Sequence, residues 1–268
     1  MIDLIQITND PAFARRCDAL EGVRLFVDLE RLGKAGRQAG RHTFISNHEI
    51  ADVGKIKSQL RRSRLMVRVN PVNPGTRDEV EAVLDGGADM LMLPMFKHPW
   101  ELQDFVHLVG GRVPVVALLE TAGALACVDE WITAPGLAEV YVGLNDLHLA
   151  LGQRFMFEPL ALGIVDRVAA LARTRALDFG FGGIARLDEG LLPGRDVLAE
   201  HVRLGTRSVI LSRTFRHSAG NDLLEQEMAA LRAAEAALAR RTPQQAQADA
   251  ARIAGAIGRI AAAMARPA

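Results

Sequence analysis

Eight short apolar runs recur between residues 3 and 211 of this 268-residue chain, and longer amphipathic segments separate them. The runs occupy residues 3–8, 24–28, 64–69, 89–94, 113–119, 138–143, 177–182 and 207–211. Alternation of strand-like runs with helix-like segments is typical of βα units on a parallel sheet. Eight such units favour a closed (β/α)₈ TIM barrel over an open doubly wound sheet, so the predicted fold class is α/β.

Local signals mark the ends of several predicted helices. Pro11 and Pro99 suit first helical positions, where the missing N–H costs nothing. Thr76 and Glu79 fit a capping box at the start of a third helix. Glycine-containing turns at 86–87, 110–111 and 205 predict helix ends just before the next strand.

Near residue 220 the composition changes, and the following segment is rich in alanine and has a helical pattern. Two apolar stripes run through Leu224, Met228, Leu231 and Leu238, and through Ile253, Ile257, Ile260 and Met264. We therefore predict a catalytic barrel domain over 1–220 and a C-terminal helical extension over 221–268. The extension can pack on its own barrel or be exchanged between subunits, and both alternatives stay open.

Composition narrows the class of protein. Lysine plus arginine balance aspartate plus glutamate at 32 each, which gives no support to a nucleic-acid partner. No apolar run is long enough to span a bilayer, and the acidic N-terminal residues Asp3 and Asp10 do not resemble a secretory signal. We expect a cytoplasmic protein in which Cys17 and Cys127 are small hydrophobic residues rather than a disulfide.

Two carboxylates, Glu120 and Asp146, follow the fifth and sixth runs. The C-terminal ends of barrel strands are where chemistry collects, and two hard oxygen ligands suit Mg²⁺ or Mn²⁺. Each residue also has a structural alternative, because Glu120 can favour a helix N-terminus and Asp146 can act as an N-cap. Together they predict a metal site.

Further polar residues end the second and third runs. Arg68 can grip a substrate carboxylate with paired hydrogen bonds, and Asn70 lies beside it in a loop, so both are predicted to bind substrate. The structural alternative for Arg68 is an ion pair with a neighbouring acid. Asp28 and Glu30 alternate on one strand and share a face. They can join the water shell of the metal, or hold Arg31 or Arg68 in place, and we favour the supporting role.

Other candidate sites have simpler explanations. Lys97 is the one natural Schiff-base candidate among only four lysines, but nothing near it in sequence indicates an activated amine. Gly180, Gly182 and Gly183 can bind phosphate at a barrel end, although tight turns explain them more simply. The basic segment over 31–42 can clamp an anionic substrate or form a solvated loop.

The ordered motifs VDLE, VRVN, GADMLMLP, ALLET and VGLNDLHLALG, between residue 24 and about residue 152, resemble the HpcH/HpaI aldolase and citrate lyase β-subunit family. Leu118, where the aldolase branch has glutamine, makes the chain more similar to the citrate-lyase-like branch. The resemblance implies a barrel with C-terminal helices that often exchange between subunits. It also implies that Glu120 and Asp146 bind a divalent metal and that Arg68 binds the oxo-acid or its enolate. In the last motif, Gly143 and Asn145 are assigned to substrate binding.

The predicted activity is a Mg²⁺- or Mn²⁺-dependent carbon–carbon lyase that cleaves or forms a small 2-oxo or hydroxy acid through an enolate. One alternative is an acyl-CoA lyase of the malyl, citramalyl or citryl type, which makes a coenzyme A thioester a candidate substrate. A second alternative is a non-catalytic barrel that acts as a binding or assembly protein. We expect a homo-oligomer, either a trimer or a hexamer, with neither a nucleic-acid nor a membrane partner.

Overall fold

The computed structural model describes residues 1–33, 46–215 and 223–264. Eight strands follow one another in order around a closed barrel, as the sequence predicted. They are β1 (Asp3–Ile7), β2 (Val23–Asp28), β3 (Leu65–Arg68), β4 (Met90–Leu93), β5 (Val115–Leu119), β6 (Leu137–Val142), β7 (Asp178–Ile184) and β8 (Ser208–Leu211). Each of the eight predicted strands is confirmed, with ends that differ by a few residues.

Helices occupy most of the intervals between strands. Within the described residues they are α1 (Pro11–Asp18), α2 (Ile50–Lys57), α3 (Thr76–Asp85), α4 (Pro99–Val109), α5 (Ala122–Ala126), α6 (Val128–Trp131), α7 (Leu144–Ala150), α8 (Glu158–Ala161), α9 (Ile164–Thr174), α10 (Gly194–Leu204), α11 (Leu223–Leu238) and α12 (Pro243–Ala263). A single 3₁₀ turn, Arg213–Phe215, follows β8. None of the helices in the described ranges is long and apolar enough to cross a membrane.

The predicted helix starts are confirmed at Pro11 and Pro99, which are the first residues of α1 and α4. The capping box predicted at Thr76 is wrong, because Gly75 is the N-cap of α3. The Thr76 hydroxyl instead accepts a hydrogen bond from the Asn73 N–H at 2.8 Å. The other residue of that predicted box, Glu79, turns toward Asn70.

The chain divides into two compact units. The N-terminal unit is Ile5–Val140, and the C-terminal unit joins Met1–Leu4 to Tyr141–Ala268. In the N-terminal unit, β2 to β5 are buried along almost their whole length, as expected of parallel strands covered on both faces. Their register pairs Asp28 of β2 with Arg68 of β3.

In the C-terminal unit, β7 and β8 are paired around an irregularity between Gly180 and Gly183. The Tyr141 hydroxyl reaches this irregularity, where it accepts a hydrogen bond from the Ile210 N–H at 2.8 Å and donates to the carbonyls of the bulged segment. A Cβ atom on Gly180 would lie 2.5 Å from Ser208 Oγ. Close packing between strands therefore explains this glycine.

The two C-terminal helices pack on helices of the same unit, α11 against α10, and α12 against α8 and α10. Leu224, Met228 and Leu231 of the first stripe, and Ile253 and Ile257 of the second, are buried within the chain. The Thr242 capping box that starts α12 is present. The predicted domain boundary near 220 lies outside the described residues, and both this boundary and subunit exchange stay predictions.

Candidate functional site

Arg68 lies among buried carboxylates at the C-terminal ends of β2 and β3. Its Nε and Nη2 atoms donate to Asp28 Oδ1 and Oδ2, each at 2.8 Å, and its Nη1 atom is 3.3 Å from Glu30 Oε2. Asp28 and Glu30 are each only 2% exposed. Because the strand register places Asp28 directly opposite Arg68, the paired hydrogen bonds are a direct product of the β2–β3 pairing.

Asp28 makes two further hydrogen bonds, one with Ser46 and one with His48. The Ser46 hydroxyl donates to Asp28 Oδ2 at 2.9 Å, and the Asp28 N–H donates to His48 Nδ1 at 3.0 Å. Because Nδ1 of His48 accepts this bond, the proton of the neutral imidazole lies on Nε2. The predicted anion clamp over 31–42 falls largely outside the described residues.

Glu120 directly follows β5 and is 3% exposed. Its Oε1 atom accepts the Met95 N–H at 3.1 Å. Met95 has φ of 59°, a left-handed conformation that is uncommon for a residue with a side chain and is concentrated at functional sites. Glu120 directly precedes Thr121, the N-cap of α5, so its alternative role as an acid at that helix N-terminus stays open.

Three carboxylates of the described residues act on the charge of Arg68. Burial lowers the pKa of Arg68, but the carboxylates of Asp28, Glu30 and Glu120 outweigh that effect and hold the pKa above its ordinary value. Arg68 therefore keeps its positive charge beside acidic side chains.

Asn70 lies in the loop after β3, with both ends of its side chain engaged by the protein. Its Oδ1 atom accepts the N–H groups of Arg31 and Leu32 at 2.9 and 3.0 Å. Its Nδ2 atom donates to Glu79 Oε1 at 2.8 Å. The predicted contact between Asn70 and substrate stays a prediction.

Asp146, Gly143 and Asn145 belong to the C-terminal unit, at the beginning of α7. Gly143 is the N-cap of this helix, and Asp146 is a half-buried acid in its first turn. The alternative role of Asp146 as an N-cap is therefore wrong. Its assignment to the metal, and the assignment of the other two residues to substrate, remain predictions.

The donors in the described residues suit an ion such as Mg²⁺ or Mn²⁺, which completes its coordination with water and substrate. Across the described ranges, groups of three or more His, Cys, Asp or Glu side chains suited to a metal are absent. Mg²⁺ commonly uses one or two carboxylates and completes its octahedron with water and substrate oxygens. Glu120 supplies a buried hard-oxygen donor of the required type.

Three further predictions concern a lysine, a glycine segment and two cysteines. Lys97 is exposed, and its backbone carbonyl would be 2.9 Å from a Cβ on Gly123. At β7 and β8, the tight packing of Gly180 supports the structural explanation for the glycines, and phosphate binding stays a prediction. Cys17 and Cys127 are not joined in a disulfide. Cys17 is buried, as expected of a small hydrophobic residue, whereas Cys127 was also expected to be buried and is partly exposed.

Sequence reasoning missed Ser46, His48 and Glu79 as partners of this site. Ser46 and His48 are far from any strand end in sequence and have no ligand-type spacing. Glu79 has a spacing that suits a capping box, which concealed its contact with Asn70. The VRVN motif led us to predict that Asn70 binds substrate, and it gives no indication of the contact with Glu79.

Comparison with known proteins confirms the predicted family resemblance. Residues 49–177 match the family model described as HpcH/HpaI aldolase/citrate lyase. A (3S)-malyl-CoA thioesterase of Cereibacter sphaeroides is 34% identical over 115 residues, which make up 42% of this chain and 38% of that protein. The match to a second such thioesterase, from another strain, is 31% identical over 98 residues, 36% of this chain and 34% of the relative. The chain thus matches well under half the length of these relatives.

Solved structures of low sequence identity share the fold. A HpcH/HpaI aldolase/citrate lyase family protein from Burkholderia cenocepacia has a TM-score of 0.63 at 17% identity, over 84% of this chain and 94% of that one. A citrate lyase β subunit from M. tuberculosis, complexed with oxaloacetate and magnesium, has a TM-score of 0.60 at 18% identity, over 87% and 96%. At these identities, the similarity supports the barrel fold alone.

Proposed function

We propose that this chain, whose residues 49–177 match the HpcH/HpaI aldolase/citrate lyase family, is a divalent-metal-dependent lyase acting on a small 2-oxo or hydroxy acid. The observation that supports this most strongly is the cluster of the buried carboxylates Asp28, Glu30 and Glu120 around Arg68. Carboxylate oxygens are donors that Mg²⁺ and Mn²⁺ prefer, and a guanidinium beside them suits an anionic substrate. As part of this proposal, we keep the sequence-based assignment of the metal to Glu120 and Asp146, which come after β5 and β6 in the chain.

When bound, Mg²⁺ or Mn²⁺ supplies a Lewis acid that withdraws charge from the substrate carbonyl and favours the enolate form. The protein supplies the fixed groups around it. Arg68, held by Asp28 and Glu30, keeps its guanidinium plane in one orientation before substrate arrives, so little reorganisation is needed as negative charge develops. The Met95 N–H fixes one oxygen of Glu120. Substrate contacts from Asn70, Gly143 and Asn145 are part of the proposal.

A coenzyme A thioester is the second candidate substrate. It is favoured by the two curated relatives named (3S)-malyl-CoA thioesterase. With such a substrate the same groups would serve either carbon–carbon cleavage or hydrolysis of the thioester. We retain a trimeric or hexameric assembly and a cytoplasmic location as parts of the proposal.

The test is an assay of the full chain on a panel of small oxo-acids and malyl-type thioesters, with Mg²⁺ and with EDTA. Pyruvate or glyoxylate release would indicate carbon–carbon cleavage, and free thiol without a new carbonyl product would indicate thioester hydrolysis. Glu120→Gln should lower kcat/KM by about 100-fold or more if Glu120 holds the metal. Glu81→Gln, which changes an exposed glutamate on α3, is the matched control and should leave activity unchanged.

Each contrary result has a defined meaning. Full activity in EDTA, or in Glu120→Gln, would contradict the metal-dependent mechanism. An absence of turnover on every substrate, in a folded protein that still binds Mg²⁺, would favour the non-catalytic barrel.

A further inference from the structure

Glu79 makes contacts that neither its helix nor the proposed chemistry requires. It is half-buried in the first turn of α3, and both of its carboxylate oxygens accept the Asn70 N–H at 3.2 Å. Its Oε1 atom also accepts from Asn70 Nδ2 at 2.8 Å. Burial raises the pKa of Glu79, and the hydrogen bonds from Asn70 lower it in part. Because the carboxylate is partly removed from water, its hydrogen bonds to Asn70 determine its orientation.

The same contact fixes which way the Asn70 amide points. With Nδ2 directed to Glu79, the Oδ1 atom faces the N–H groups of Arg31 and Leu32 and accepts both. These two N–H groups directly follow Glu30 in the chain. Asn70 thus connects α3 to the backbone that leaves β2.

Glu30 is the residue on which these contacts act. Its N–H donates to Asp28 Oδ1 at 3.2 Å, and its carboxylate is 3.3 Å from Arg68 Nη1. Because Asn70 binds the N–H groups of Arg31 and Leu32, the backbone of Glu30 has less freedom to move. The position of the Glu30 carboxylate beside Arg68 Nη1 is restricted in turn. We propose that Glu79 is a positioning residue, which acts through Asn70 to hold Glu30 against Arg68. This inference rests on the proposed function for its effect on substrate, but the hydrogen-bond network is independent of it.

A simple helix-dipole role would predict something different. An acid anywhere in the first turn of α3 interacts with the positive end of the helix. Asp78 is such an acid and is exposed beside Glu79, so Asp78→Ala is the matched control. A role confined to the helix would make Asp78→Ala and Glu79→Ala equivalent.

The first measurement does not depend on any activity. In the full chain, amide hydrogen exchange measured by NMR should be at least about tenfold faster at Arg31 and Leu32 in Glu79→Ala than in the wild type or Asp78→Ala. Glu79→Gln keeps one acceptor oxygen and should give an intermediate rate, and it serves if the alanine variant does not fold. Unchanged exchange at both amides in a folded Glu79 variant would overturn the inference.

The second measurement uses oxalate, a planar dicarboxylate that resembles the enolate of a 2-oxo acid, titrated calorimetrically in Mg²⁺. Glu79→Ala should weaken oxalate binding about tenfold, in the same direction as Glu30→Gln. The double variant should be no weaker than the more affected single variant, because both act on one contact. Additive losses would overturn the inference. Failure of the wild type to bind oxalate would instead contradict the proposed function, and the exchange rates would still decide the role of Glu79.

Discussion

Arg68 and Asp28 form a bidentate ion pair, with two hydrogen bonds of 2.8 Å, between adjacent strands whose register places the two residues opposite each other. The Asp28 side chain is 3% exposed and that of Arg68 is 15% exposed. In this setting, removing one partner leaves a poorly solvated charge behind. The pair is therefore important for stability as well as for orienting the guanidinium.

Asp28→Ala should lower the free energy of unfolding by about 3 kcal/mol, because Arg68 would keep its charge and lose its main partner. Urea denaturation followed by circular dichroism measures this change. Glu81→Ala is the control, since it breaks an equally bidentate pair with Arg112 whose two side chains are 48% and 42% exposed. That variant should unfold at the wild-type midpoint. Equal midpoints for both variants would contradict the expected role of burial.

His201 should make the protein less stable in mild acid. Its ring is fully buried and stacked on Phe181 with centroids 3.9 Å apart, and burial lowers its pKa from 6.5 to about 3. Above pH 6.5 the residue is neutral in both folded and unfolded states and has no effect on pH dependence. As the pH falls from 6.5 toward 3, only the unfolded state gains the proton, so stability is lost.

The expected loss is about 1.4 kcal/mol per pH unit within that window, which denaturation at a series of pH values would measure. His201→Gln cannot titrate and should show a shallower slope by this amount between about pH 6 and pH 4. Parallel curves for the wild type and the variant would show that His201 is not the group responsible.

Two glycines should respond to alanine in opposite directions. A Cβ on Gly180 would lie 2.5 Å from Ser208 Oγ and 2.7 Å from the Ser208 carbonyl oxygen and from Tyr141, so Gly180→Ala should destabilise the fold by about 1–3 kcal/mol. A Cβ on Gly258, within α12, would meet open space, with nothing within 4 Å. Gly258→Ala should therefore stabilise the fold by about 0.5–1 kcal/mol, since alanine is the better helix former. Thermal unfolding would measure both changes, and shifts of the same sign would contradict the prediction.

The apolar stripe of α12 should contribute to the stability of its own chain. Ile257 is fully buried, and Ile257→Ala should cost about 3 kcal/mol in urea denaturation. Ile50→Ala applies the same chemical change to a residue that is 46% exposed and should cost much less. Light scattering on the same samples tests subunit exchange. If Ile257→Ala lowered the oligomer mass without changing monomer stability, the stripe would be an interface between subunits.

The sequence determined the order and position of the strands. In the N-terminal unit, β4 and β5 are buried along their whole length, so their runs of apolar residues are continuous and can be recognised without knowing what packs on them. The starts of α1 and α4 were equally predictable, because a proline at the first helical position acts on neighbours in the same turn.

Only the tertiary structure decided which polar groups meet. The sequence indicated that Asp28 and Glu30 could hold an arginine, but the bidentate pair with Arg68 follows from the β2–β3 register. The Asn70–Arg31 contact joins residues about forty positions apart, which a local pattern does not encode. For the same reason, Glu79 has a spacing typical of a capping box but contacts Asn70. Periodicity within a segment reports what is buried, whereas hydrogen-bond partners depend on where the fold places distant segments.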